Sequence, residues 1–268
     1  MGAFYETIPQ SLIDWILLQK VFWIASAPLS HSGHINLSPK GGSYFGVLSP
    51  SKFWYIDLTG SGIETLSHLH EPGNGRITVL FNAFSGPPRI VRLWGKGEVL
   101  EYGTGAFETF VEEREEEGVR MREMCVAGTR AVVVVSVTQV GSSCGFSMPL
   151  YEFQGCRSTL NEFFEKRVRA EEEGNRKDGI EKYWAFKNAQ SIDGLPGLRR
   201  GVENGKREKV TPIKKMVGPY ALEVRAKERA DHTRTKIAQL VVVLLAFCMG
   251  IFAQWAWSWS WGGGGGGI

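Results

Sequence analysis

The stretch INLSPKGGSYFGVLSPSKFWYIDLTGSGIETL, residues 35–66, holds apolar runs broken by polar turns and ends in a helix signal. Ile35 and Leu37 alternate with Asn36 and Ser38, as at the end of a half-buried strand. Pro39 is expected to stop that ladder and leave Lys40 on a turn before Gly41 and Gly42. Strand-like runs follow at Tyr44–Leu48 and Phe53–Leu58, separated by LSPSK. Thr59-Gly60-Ser61-Gly62 then leads into a helix expected over Ser61–His70, with Ser61 and Glu64 at capping-box spacing.

The same rhythm continues on both sides. Val21–Ala27, His34–Leu37, Arg76–Ala83, Ile90–Leu100 and Ala131–Val140 read as strands, set apart by SHSGH, EPGNG and FSGPP. Many short strands with such turns imply an antiparallel barrel or sandwich. The unbroken apolar run at Ala131–Val140 implies burial on both faces. Helical spacing over Ile8–Lys20, a charged helix over Ala106–Met124 and a third over Ser158–Glu173 flank the strands. Residues 171–236 are polar except for the more apolar island Tyr183–Leu198.

A hydrophobic fraction of 43% with 22% charged residues is that of a globular chain, and a formal charge of +3 gives no case for a nucleic-acid partner. Cys125, Cys144, Cys156 and Cys248 lack metal-ligand spacing, and His31/His34 and His68/His70 pair with no further ligand, so no metal is expected. No Gly-x-Ser-x-Gly nucleophile motif occurs. The acidic run Glu112–Glu117 reads as a solvated helix face. No basic, apolar leader opens the chain, so reduced thiols in the cytosol are expected. At the other end, Ile237–Trp257 is uncharged, follows Arg225, Lys227, Arg229, Arg234 and Lys236, and leads into Trp259 and Trp261. This pattern predicts a single-pass membrane anchor with the body cytosolic, at the endoplasmic reticulum or the mitochondrial outer membrane.

Asp57–Gly62 runs from a strand into a helix N-terminus, where free N–H groups and the helix dipole favour an anion. The same residues also read as a plain helix cap at Ser61 and Glu64 with a turn at Gly60 and Gly62. Lys40, and Arg92 on the strand Ile90–Leu100, are the cations available to complete an anion site. A guanidinium inside a barrel needs an anionic partner, whether phosphate, Asp57 or a carboxylate of the charged helix.

In combination, FWIASAPLSHSGHINLSPKGGSYFGVL, FWYIDLTGSGIETLSHL, NGRITVLFNAF and GPPRIVRLWGKGEV, with SCGFSMPLYEF and NAQSIDGLPGL later, resemble the pyridoxamine 5′-phosphate oxidase-like family of split-barrel flavoproteins. The resemblance spans about residues 8–200, and is nearest to a fungal and bacterial branch without assigned substrates. It implies a mainly β (α+β) fold, an antiparallel split β-barrel with flanking helices, and a homodimer holding FMN between its barrels. By match, Ser38 and Lys40 line the cofactor, Thr59, Gly60 and Ser61 receive its phosphate, and Arg92 lies near the ring or phosphate. Cys144 falls near a segment that approaches the cofactor in some relatives.

The resemblance also marks departures. Members that oxidise pyridoxamine phosphate carry a basic Ser-Arg-Lys-type element where this chain has Thr-Gly-Ser-Gly, and their Arg/Trp-rich C-terminal segment is not recognisable here. The expectation is therefore an FMN-dependent oxidoreductase of unassigned substrate, not a vitamin B6 oxidase. A non-catalytic flavin- or haem-binding module or a scaffold at a membrane surface is the alternative. The expected organisation is a flavin-binding split-barrel domain over 1–155, a helical and polar extension over 156–236, an anchor over 237–259 and a low-complexity tail over 260–268.

Overall fold

The structure, a computed structural model, describes residues 2–224, 226–227, 230, 233–242, 244–245, 249 and 251. They form two compact units, the first ending at Lys215 and the second beginning at Met216. The second holds a single 3-10 turn, Gly218–Tyr220, and helical residues.

The first unit contains β1 (Ala3–Tyr5), α1 (Gln10–Leu17), β2 (Val21–Ser26), β3 (Asn36–Gly41), β4 (Phe45–Ser49) and β5 (Lys52–Leu58). After them come α2 (Glu64–His70), β6 (Arg76–Asn82), β7 (Ile90–Glu101), α3 (Gly105–Glu116), α4 (Met121–Met124) and β8 (Thr129–Ser143). The last elements are α5 (Thr159–Glu172), α6 (Ile180–Tyr183), a π-helical stretch Trp184–Asn188 and α7 (Arg199–Glu208).

All eight strands form one antiparallel sheet in the order β3-β2-β6-β7-β8-β5-β4, with β1 on β8. Its two edges, β3 and β4, are joined directly by Gly42, Ser43 and Tyr44. A flat sheet would hold its outermost strands far apart, so this short link forces the sheet to curl into a barrel that stays open between β3 and β4. Phe22, Phe45, Phe53, Tyr55 and Phe81 meet inside it with ring centroids 5.1–6.4 Å apart. Edge-to-face and tilted pairs of this kind add to the area term of aromatic burial.

The other face of β5 and β8 is covered too. Trp54, Ile56 and Val132 pack on Phe107, Phe110 and Val111 of α3 and on Met121 of α4. The apolar run of β8 is thus buried on both faces along its first half, as its composition implies. The charged helix expected over Ala106–Met124 divides into α3 and α4 at Gly118, whose φ of +82° suits glycine.

Three expectations are corrected. First, Pro39 does not end the ladder: β3 runs to Gly41, with Pro39 opposite Trp23 and Lys40 opposite Phe22. β3 is an edge strand, where a missing N–H faces no neighbouring strand. Second, Ser61 does not cap α2. The helix begins at Glu64, whose own Oε2 accepts from Ile63 N–H at 2.8 Å.

Third, no helix among the described residues is long and apolar enough to cross a membrane. This overturns the C-terminal anchor and, with it, membrane attachment at the endoplasmic reticulum or mitochondrial outer membrane. A span needs roughly 20 continuous apolar residues, whereas the described run 233–242 is far shorter and includes Arg234 and Lys236. Residues 243, 246–248, 250 and 252–268, which contain the rest of the expected anchor and the tail, lie outside the described residues.

Candidate functional site

Cross-strand register decides which side chains enter the barrel. Lys40 pairs with Phe22 and Ser38 with Ile24, so both share the inward face of those core residues. Asp57 follows Phe53 and Tyr55 at period two on β5 and is likewise inward and fully buried. An isolated carboxylate there would be strongly disfavoured. Lys40 Nζ meets its Oδ1, and Arg130 Nε meets its Oδ2 at 2.7 Å. Burial pushes the Asp57 carboxyl up, but Arg130 and then Lys40 more than offset this and hold it below the ordinary carboxylate value.

Arg130 reaches Asp57 because of a bulge. Asp57 is opposite Ala131 and Leu58 opposite Thr129, so Arg130 is skipped in the pairing. Strict alternation from Val132 and Val134 would place it on the outer face. The bulge re-aims it inward. Its Nη1 also donates to Gly62 O at 2.7 Å, tying β8 to the loop after β5.

Ser38, Lys40 and Arg130 line a cavity of about 370 Å³ at the seam between β3 and β5, with Tyr44, Leu58, the loop 59–62, Glu64, Thr65 and Leu160 on its walls. A wider hollow of about 840 Å³ continues it toward α5, sharing Gly41, Tyr44, Leu58 and Leu160. Of the residues singled out in the sequence, Ser38, Lys40, Thr59, Gly60 and Ser61 come together here. Arg92 does not: it faces Leu80 and Gly141 across β6 and β8, on the sheet face opposite Val91 and Leu93 of the core. Cys144 is exposed and lines neither hollow.

The loop's polar atoms are unevenly committed. Thr59 Oγ1 donates to Gly128 O at 2.6 Å and accepts from Trp184 Nε1 at 2.9 Å, so its proton is committed. Gly60 O accepts from Asn188 Nδ2 at 2.9 Å. Among the described residues, the backbone N–H groups of Gly60, Ser61 and Gly62 have no protein acceptor. Glu64 pairs with Lys215 at 3.3 Å; burial raises its carboxyl, and Lys215 with the N–H of Ile63 outweighs that to hold it low. Lys40 and Arg130 share one carboxylate, which leaves one positive charge in surplus beside three free N–H donors.

Arg130, Trp184, Asn188 and Lys215 were not found from the sequence. The available signal was Asp57 itself: a lone carboxylate in the apolar run FWYIDL demands a buried cation, and Arg130 stands alone before AVVVV.

An open antiparallel barrel with a cation-bearing cleft along its seam defines a split-barrel protein. No family model matches the chain. The chain is 41% identical over 213 residues, covering 76% of its length and 81% of the relative's, to pyridoxamine 5′-phosphate oxidase family protein ustO of Aspergillus flavus. It belongs to the pyridoxamine 5′-phosphate oxidase family. Among solved structures, it is similar to HupZ of Group A Streptococcus, at 19% identity over 50% of this chain and 91% of that one, with a TM-score of 0.36. It is also similar to an FMN-binding protein from Syntrophomonas wolfei, at 11% identity over 49% and 80% of the two chains, with a TM-score of 0.33.

Proposed function

We propose that this chain is a flavoprotein with oxidoreductase activity that holds FMN in the seam cleft. Family membership supports the flavin, and one observation supports the phosphate: the surplus charge of Lys40 and Arg130 stands beside the acceptor-free N–H groups of Gly60, Ser61 and Gly62. A phosphate monoester fits that donor set. Ser38, Lys40, Gly60, Ser61 and Arg130 would hold the cofactor. Thr59 would contribute shape, since its hydroxyl proton is committed. Arg92, on the outer face, would contribute nothing to the same cleft.

Bound flavin supplies hydride and electron transfer. The chain's part is to bind, orient and exclude water. Among the residues lining the smaller hollow, Glu64 is the carboxylate, and Lys215 neutralises it. The larger hollow offers Tyr44, Phe153 and Leu160 as apolar wall for a substrate. The same reading carries a homodimer with the cleft at or near the subunit boundary, which light scattering of the purified chain tests.

The decisive experiment is the absorption spectrum of the purified protein, followed by titration with FMN. A yellow, flavin-quenching complex is expected. A protein that stays colourless and leaves FMN fluorescence unchanged overturns the reading.

A further inference from the structure

The Gly60–Gly62 loop is held from behind by a segment more than a hundred residues further along the chain. We propose that Trp184 and Asn188 are positioning residues for this loop, and that they set a preference for phosphate-bearing flavin over its dephospho form. The proposal rests on the flavin reading above.

Peptide planarity supplies the argument. In a trans peptide the C=O of one residue and the N–H of the next point in opposite directions, and the described chain has no cis peptide bond. Asn188 draws the Gly60 carbonyl toward itself at 2.9 Å, so the Ser61 N–H is turned the other way. Gly60 and Ser61 line the cavity and Asn188 does not, so that direction is the cavity side. Arg130 holds the Gly62 carbonyl at 2.7 Å, and the N–H on the other side of that peptide, that of Ile63, goes to Glu64 Oε2. Trp184 meanwhile donates to the Thr59 hydroxyl, whose proton goes to Gly128 O. Thr59 is thereby pinned as the fixed base of the loop.

The holder is itself rigid. Trp184 is 2% exposed and belongs to the main core, and Asn188 is fully buried. Asn188 O accepts from Leu198 N at 2.9 Å, and a Cβ on Gly197 would lie 2.2 Å from that oxygen. This crossing therefore admits only glycine at 197. The loop's exit is fixed too, because Glu64 Oε1 accepts from Ile192 N and from Lys215 Nζ, both at 3.3 Å. Residues 184–215 thus act as a strap whose polar groups hold the Thr59 hydroxyl, the Gly60 carbonyl and the Glu64 carboxylate, and leave the loop's N–H groups for an anion.

The test compares FMN with riboflavin, which lacks the phosphate, on the full chain and on Trp184→Phe and Asn188→Ala. Trp184→Phe keeps an aromatic side chain in the core and removes one donor. Each variant is expected to bind FMN roughly three- to tenfold more weakly, the worth of one hydrogen bond, with riboflavin affinity unchanged. Equal losses for both flavins, or no loss for either, overturn the proposal. Wild type that binds neither flavin overturns the flavin reading instead. The strap is then read from inorganic phosphate: protection of wild type against thermal unfolding that Trp184→Phe loses supports it, and equal or absent protection in both refutes it.

Discussion

Arg130 and Asp57, 73 residues apart in the chain, meet at 2.7 Å with side chains 5% and 0% exposed. The contact exists because β5 and β8 pair and because the bulge at Asp57/Leu58 turns Arg130 inward. Removing one member of a buried ion pair strands the other. Arg130→Ala is expected to lower unfolding free energy by about 3–5 kcal/mol in urea titration. Arg130→Lys should recover only part, because one ammonium replaces a fork that serves both Asp57 and the Gly62 carbonyl. A Lys variant as stable as wild type would show that the fork geometry is unimportant.

Lys40 sits on the other oxygen of Asp57, with its side chain 18% exposed. It faces the cleft from an edge strand, so its loss should tell more on ligand than on fold. Lys40→Met is expected to weaken FMN roughly tenfold or more, the worth of a charge-assisted hydrogen bond, while Asp57 keeps Arg130. Undiminished FMN affinity in this variant, by fluorescence quenching, would remove Lys40 from the site.

What could be read from residues alone follows from these two contacts. The apolar runs FWYIDL and AVVVV marked β5 and β8, and the turn clusters marked an antiparallel barrel, because burial leaves an apolar pattern that survives in sequence. Lys40 was placed on a turn because proline usually ends a ladder, a rule that relaxes on the edge strand it occupies. Arg130 stayed hidden because parity assigns it to the outer face and only the bulge reverses that. Trp184 and Asn188 bind a hydroxyl and a backbone carbonyl, and such partners leave no charge pattern to read. The segment after Lys236 carries the hydropathy, basic flank and tryptophans of an anchor, but no helix among the described residues is long and apolar enough to cross a membrane.

A second bulge makes a prediction about backbone space. Between Trp94 and Gly95 the pairing of β7 with β8 skips Thr138, and a Cβ on Gly95 would stand 2.2 Å from Ser136 O. That atom is backbone in a paired strand and has little room to retreat. Gly95→Ala is expected to cost roughly 1–3 kcal/mol in urea titration, as overpacking does. Gly105→Ala, at the start of α3 with nothing within 4 Å of its Cβ, is the control and should cost nothing. Equal effects at the two positions would mean that the β7–β8 bulge yields to a methyl group.

Stability should also depend on pH through two histidines of α2, His68 buried and His70 half-buried. His68 is fully buried, with Nδ1 2.9 Å from Ser26 Oγ and no partner for Nε2 among the described residues. Burial pushes its pKa below the ordinary histidine value, and Asp193, Glu64 and Glu71 oppose this only in part. Burial lowers His70 likewise, with Glu101 opposing and Arg199 assisting. A depressed folded pKa means that the unfolded chain binds more protons once pH falls below about 6.5. Stability is therefore full above that value and declines as pH drops through it. The Asp57 contribution, also from a depressed pKa, is retained until the carboxylate range near pH 4 and does not confound this window. The urea midpoint is expected to fall between pH 7.5 and 5.5 in wild type and to fall less in His68→Asn, whose amide can still meet Ser26. Equal falls in the two proteins would assign the pH dependence to groups other than His68.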